Sequence, residues 1–209
     1  MKIKRVLKRI KAIFYQDNYP KYKLYGDLHW RWYSKGGWYK ELVDSSLKPF
    51  DDLEKGSVLD IGSGDGLVDN LLLKKGFDVE GVEPTKEGVK ITREKVPGMT
   101  VYPMTLENFI DQNNKMYDYL YSINTIEHVK KYTDFVKLMD SINNFAVIVT
   151  DNAELSGGDE EFHEKEFMYG ELRDLFKAFK SERVDLGNDK FIGIKVFSSK
   201  HKGKNDDTK

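Results

Sequence analysis

The chain has 209 residues, 34 basic and 35 acidic, for a formal net charge of −1, so it lacks the global positive field of a DNA binder. It has no cysteine, which excludes disulfides, thiolate zinc sites and a cysteine nucleophile. With 39% hydrophobic and 33% charged residues and no apolar run near the length of a membrane span, it reads as a globular, cytoplasmic protein.

Residues 1–53 form a basic, aromatic-rich opening. Lys2, Lys4, Arg5, Lys8, Arg9 and Lys11 fall on one helical face, and Ile3, Val6, Leu7, Ile10, Ile13 and Phe14 on the other. No uninterrupted apolar core of a secretion signal is present there. Such a helix packs on its own domain or makes peripheral contact with an anionic membrane through residues 1–14. Tyr15, Tyr19, Tyr22, Tyr25, Trp30, Trp32, Tyr33, Trp38 and Tyr39 follow closely, and they include all three tryptophans. Amphipathic aromatics line pockets well. His29–Tyr39, with His29, Trp30, Tyr33 and Trp38, is therefore expected to wall or cover a substrate; the alternative is a packing collar at the sheet edge. Gly36-Gly37 precedes a helix expected over Trp38–Leu47.

Residues 54–199 alternate strand-like and helix-like patterns. Strands are expected at Ser57–Ile61, Phe77–Val82, Thr100–Pro103, Tyr117–Ser122 and Phe145–Thr150, as apolar runs suited to burial on both faces. Between them, Val68, Leu71 and Leu72 share a helical face, and Phe135, Leu138, Met139 and Ile142 repeat with helical spacing, as do Leu172, Leu175, Phe176 and Phe179. Alternation of this kind implies a parallel sheet. Arg183–Leu186, a Gly187-Asn188-Asp189 turn and Phe191–Phe197 then predict a closing antiparallel hairpin. Residues 200–209 read as a disordered tail.

The chemistry-bearing stretch is Val58-Leu59-Asp60-Ile61-Gly62-Ser63-Gly64-Asp65-Gly66, with Val82-Glu83-Pro84 one βα unit later. Glycines let the backbone bend and approach a ligand, and the helix after Gly66 aims its free N–H groups there. A carboxylate at Glu83 can accept from both ribose hydroxyls of a nucleoside cofactor. The spacing departs from the dinucleotide pattern Gly-x-Gly-x-x-Gly, because Leu67 stands where the third glycine belongs. Asp65 in the bend and Asp60 at the strand end disfavour a pyrophosphate and suit a cationic sulfonium cofactor.

On these residues the chain resembles the class I S-adenosylmethionine-dependent methyltransferases, over about residues 54–198. Met104-Thr105-Leu106-Glu107 resembles their adenine-flanking segment. Ser122–Val129, with Glu127-His128-Val129, is similar to the fourth-strand motif of the small-molecule subgroup, and His163–Phe167 to the start of its late helix. The resemblance implies a Rossmann-like, doubly wound α/β fold: a seven-stranded, mostly parallel sheet with an antiparallel last strand and an N-terminal cap over the substrate. It implies S-adenosyl-L-methionine as cofactor, S-adenosyl-L-homocysteine as product, and cofactor contacts from Asp60, Gly62, Ser63, Gly64, Asp65, Gly66, Glu83, Pro84, Met104, Thr105, Leu106 and Asn124. Thr105 and Asn124 stand where many relatives carry aspartate.

Methyl transfer from a sulfonium is an in-line displacement with a good leaving group, so the protein mainly supplies alignment and desolvation. A base is needed only for a hydroxyl or ammonium nucleophile. The candidates are His128, His163 and Glu127, with His29 as a further histidine and His201 in the tail. Some quinone-biosynthesis O-methyltransferases bind a divalent ion with a carboxylate three residues before Glu-His. Asn124 holds that place here, and no metal is expected. The Asp/Asn-Pro-Pro-aromatic turn of common DNA base methyltransferases is absent. The expectation is methylation of a small molecule by a monomer or homodimer, with an RNA or protein methyltransferase, or an inactive cofactor-binding module, as the alternatives.

Overall fold

The computed structural model describes residues 21–156 and 163–200. The basic helix expected at 2–14, Tyr15 and Tyr19, most of the polar loop before His163, and residues 201–209 lie outside the described residues.

Seven strands make one sheet in the order β3-β2-β1-β4-β5-β7-β6. They are β1 Ser57–Ile61, β2 Asp78–Val82, β3 Thr100–Tyr102, β4 Tyr117–Ile123, β5 Ile142–Asp151, β6 Ser181–Arg183 and β7 Phe191–Phe197. All pairings are parallel except those of β7, which is antiparallel to both β5 and β6. Strand order reverses beside β1: β2 and β3 lie on one side, β4 and β5 on the other. That reversal opens a crevice at the carboxyl ends of β1 and β4, where ligands of open α/β sheets bind.

The helices are α1 Lys21–Tyr25, α2 Leu28–Lys35, α3 Trp38–Leu47, α4 Leu67–Lys74, α5 Lys86–Lys95, α6 Leu106–Gln112, α7 Asp134–Leu138, α8 Ala153–Ser156 and α9 Tyr169–Leu175. Side chains alternate across the strands, so two cores form. Leu59, Ile61, Leu120 and Ile148 pack with Phe135, Phe167, Leu172 and Phe176 on one face. Val58, Tyr119, Tyr121 and Val147 pack with Leu42, Val43 and Leu47 of α3 and Leu72 of α4 on the other. The helix expected at Trp38–Leu47 is therefore a core layer of the sheet. No helix among the described residues is long and apolar enough to cross a membrane.

Two sequence expectations change. Phe135, Leu138, Met139 and Ile142 are all buried, but α7 ends at Leu138, a 3₁₀ turn spans Met139–Ser141, and Ile142 opens β5 opposite Tyr117. Pairing with β4 and β7 along ten residues outweighs helical spacing at that end. The hairpin also shifts. β6 is Ser181–Arg183, and residues 184–190 form a loop rather than a strand with a tight turn. Leu186 turns inward to 3% exposure, and Gly187 N–H and Lys190 N–H donate to Asp185 Oδ1 and Asn188 Oδ1. Those local bonds take the place of a ladder.

Candidate active site

The first lip of the crevice is the glycine turn after β1. Gly62 N–H and Ser63 N–H both donate to the Val82 carbonyl, at 2.8 and 3.2 Å, which ties the turn to the end of β2. Gly62 has φ +81°, and a Cβ there would fall 2.1 Å from Thr125 Oγ1. Only glycine combines that backbone with that approach. α4 starts directly after Gly66.

Glu83, 4% exposed, knits this turn to the next. Its Oε2 accepts from Gly64 N–H at 2.9 Å, and its Oε1 from Thr85 N–H at 2.8 Å and Thr85 Oγ1 at 2.5 Å. Burial raises its pKa, while these donors and His29 pull it down. Pro84 is exposed just beyond it. On the next strand, Thr105 caps α6 with its hydroxyl, Met104 is half-buried beside it and Leu106 enters the core. The ends of β2 and β3 are adjacent, with Val82 opposite Tyr102.

Three further carboxyls are buried at the turn: Asp60, Asp65 and Asp69, with exposures of 2, 1 and 0%. Burial lifts Asp60 to about 7, with the charge of Glu83 adding to it and a hydrogen bond from Asp69 opposing it. Asp65 is claimed by the cap. Its Oδ2 accepts from His29 N–H at 2.9 Å, its Oδ1 lies 3.3 Å from His29 Nδ1, and its carbonyl accepts from Trp30 Nε1 at 2.8 Å. Tyr22 Oη is 3.4 Å from His29 Nδ1 and sits directly over Gly64, where a Cβ would meet it at 2.2 Å.

The aromatic segment thus divides. His29 and Trp30, expected to line a substrate pocket, hold the glycine turn through Asp65. Tyr33 donates to Asp44 Oδ1 at 2.7 Å, and Trp38, 54% exposed, stacks on Phe191.

The second lip follows β4. Asn124 takes a left-handed backbone, φ +48°, which asparagine tolerates better than most residues. Its N–H donates to the Val149 carbonyl at 2.8 Å, and its buried Oδ1 has no donor among the described residues. Glu127 and His128 lie on a 3₁₀ turn, Ile126–His128. Glu127 is 1% exposed; burial raises it to about 8, with the charge of Asp151 adding to that and its own backbone N–H and the Thr150 hydroxyl opposing it. The Glu127 carbonyl accepts from Glu164 N–H at 2.7 Å and Lys165 N–H at 3.2 Å. This clip delivers His163, whose ring centroid is 4.9 Å from that of His128. His163 Nδ1 is 3.2 Å from Glu166 Oε1, and Nε2 is 3.6 Å from Asp151 Oδ2.

The three residues expected to act on the acceptor therefore meet. Ligand atoms of Glu127, His128 and His163 lie within 4.8 Å of one another, a spacing that also suits a divalent cation. The expectation of no metal rested on Asn124; His163 brings a third donor from a different segment. Sequence reading passed over Asp69 and Thr85, and named Tyr22 only among many aromatics. An acid at the third position of an apolar helix, after Leu67 and Val68, was the available signal for Asp69.

A Rossmann-like sheet with a glycine turn, a second-strand carboxylate and a Glu-His lip at the switch point defines the nucleoside-cofactor class of α/β proteins. A family profile described as "Methyltransferase domain" matches residues 36–187, and the chain belongs to that family. Among curated relatives, the ubiquinone biosynthesis O-methyltransferase of Vibrio vulnificus is 30% identical over 118 residues, covering 51% of this chain and 50% of that protein. The mitochondrial enzyme of the same name from Arabidopsis thaliana is 31% identical over 116 residues, covering 52% of this chain and 35% of that protein. The chain spans half or less of the length of these relatives. Solved structures share the fold. Magnesium protoporphyrin IX methyltransferase from Synechocystis PCC 6803, with bound SAM, superposes with a TM-score of 0.61 at 16% identity over 86% of this chain and 94% of that one. A plantazolicin methyltransferase in complex with SAH superposes with a TM-score of 0.67 at 13% identity over 94% and 96%.

Proposed function

We propose that this protein transfers the methyl group of S-adenosylmethionine to an oxygen or nitrogen of a small-molecule acceptor. The observation that carries the reading is the pairing, across one crevice, of a glycine turn knitted to Glu83 with the Glu127–His128–His163 cluster. The cofactor supplies an electrophilic methyl on a sulfonium. The chain's part is to bind and align it. Glu83 Oε2, with one donor, keeps a lone pair for a ribose hydroxyl; Oε1 already has two, so a second ribose bond requires the Thr85 hydroxyl to turn away. Pro84 and Met104 would flank the adenine, and Asp60 and Asn124 Oδ1 would meet the ammonium end. Buried negative charge at this turn favours a cationic ligand over a pyrophosphate.

At the other lip, His128 takes the proton of the acceptor, and His163, set by Glu166 and Asp151, positions it. The geometry supports a second reading: a divalent ion on Glu127, His128 and His163 that would polarise an acceptor hydroxyl. Metal analysis of the purified protein and activity after chelation separate the two. A cytoplasmic location, in keeping with the cysteine-free sequence, is part of the proposal.

The first test is a thermal-shift titration with S-adenosylmethionine, S-adenosylhomocysteine and NAD. A ligand that binds only the folded state raises Tm. The proposal expects a shift with both sulfur nucleosides, none with NAD, and a weakened shift in Glu83→Ala. Absence of a shift with either sulfur nucleoside on folded, cofactor-free protein would overturn it. Binding without turnover on any acceptor would identify a cofactor-binding module instead.

A further inference from the structure

Asp69 is the third residue of α4 and is fully buried, among core residues Leu67, Val68 and Leu72 of its own helix. Neither of its side-chain oxygens has a donor among the described residues, and Asp60 Oδ1 lacks one too. Each of the two carboxyls acts on the other's ionisation from within hydrogen-bonding reach. Two ionised carboxylates in contact, both out of water, would repel and leave every oxygen unsatisfied. One proton between them removes both costs. The groups facing the pair are Asp65 in the glycine turn, Glu83 after β2 and Tyr121 of β4. Tyr121 Oη shares a hydrogen bond with Ser46 Oγ of α3 at 2.6 Å, and His29 of α2 stands beyond Asp65. Asp69 is fully buried and faces the charges of Asp60, Asp65 and Glu83, so it carries the proton.

We propose that Asp69 is a positioning residue for the cofactor cradle: as a neutral carboxylic acid it donates to Asp60 and keeps the Asp60 carboxylate ionised at the mouth of the glycine turn. This rests on the S-adenosylmethionine reading above. The donated hydrogen bond favours the charged form of Asp60 against burial, which favours the neutral form. Binding that needs ionised Asp60 is present above its titration, near pH 7, and fades as pH falls through it. Removal of the donor moves that titration upward.

The experiment is calorimetric titration of S-adenosylhomocysteine into wild type, Asp69→Asn and Asp69→Leu from pH 5.5 to 9.5. Affinities are read as the ratio of wild type to variant at each pH, so that the ligand's own ionisation cancels. Near-UV circular dichroism confirms that each variant is folded. The amide of Asp69→Asn still donates, and that variant is expected within about threefold of wild type throughout. Asp69→Leu is expected to bind about tenfold more weakly near pH 7, the equivalent of a one-unit shift, and to recover toward pH 9. A ratio for Asp69→Leu that does not change with pH, or an Asp69→Asn variant as weak as Asp69→Leu, would mean that Asp69 only fills space, and would overturn the proposal. Wild type that fails to bind S-adenosylhomocysteine at any pH would overturn the cofactor reading and this proposal together.

Discussion

The two lips of the crevice are held in different ways. The β1 lip is backbone: Gly62 and Ser63 bond the Val82 carbonyl, Gly64 bonds Glu83, and the cap closes on Asp65. The β4 lip is side chains gathered from two distant segments, 124–128 and 163–166, joined through one carbonyl, that of Glu127. A backbone cradle accepts one ligand shape and little variation. A side-chain cluster can be retuned residue by residue. On the proposed function, the cofactor end is thus the constant part of the machine and the acceptor end the adjustable one.

The largest expected effect strikes the first lip. Gly62→Ala sets a Cβ against Thr125 at a φ that only glycine adopts freely. It should cost about 2–4 kcal/mol in stability and abolish the thermal shift with S-adenosylhomocysteine. Retention of that shift would show that the turn is not the cradle. Next comes the second lip. His128→Ala should lower turnover by about 10²–10³-fold, with S-adenosylhomocysteine affinity within threefold of wild type; equal losses in both would dissolve the division of labour.

Glu127 gives a medium effect with a definite sign. Its carboxyl is raised to about 8 in the folded protein, so between its unfolded value and pH 8 the folded state holds the extra proton. Stability contributed by the neutral form is present at low pH and is lost as pH rises through that window. Tm measured in chelator from pH 5 to 9 should therefore fall less steeply in Glu127→Gln than in wild type. Parallel curves would argue that Glu127 ionises normally. The smallest effect sharpens the role of the cap. Trp30→Phe removes the indole donor to Asp65 and should cost about 0.5–1.5 kcal/mol. It should weaken cofactor binding and leave the KM of the acceptor unchanged; the reverse pattern would restore Trp30 to a substrate wall.

The same contrast explains what could be read from the residues in order. Strands β1 to β5, the glycine turn and Glu83 announce themselves because backbone geometry demands particular residues at fixed spacing. Met139 and Ile142 misled because the helical repeat and the first residues of a buried strand are both apolar, and only pairing with β4 decides between them. The Arg183–Leu186 strand failed for a related reason: Leu186 is apolar because it is buried from a loop. His29 and Trp30 read as substrate-facing aromatics, and nothing in residue order announces their contact with Asp65, 36 and 35 residues away. Glu127, His128 and His163 could be named one by one. Their meeting depends on the clip at the Glu127 carbonyl, which leaves no trace in side-chain type.

One bridge near that clip has a wider consequence. Asn152 and Phe167 pair as neighbouring strands do, Ala153 N–H donates to the Phe167 carbonyl at 3.0 Å, and Phe167 is buried in the core. The end of β5 and the segment entering α9 thus meet at one fixed neck. His163 is anchored on the α9 side of it, by Glu166, Asp151 and the Glu127 clip. The histidine that faces His128 is therefore held from three directions at once, so its position is a property of the fold and not of its own short segment.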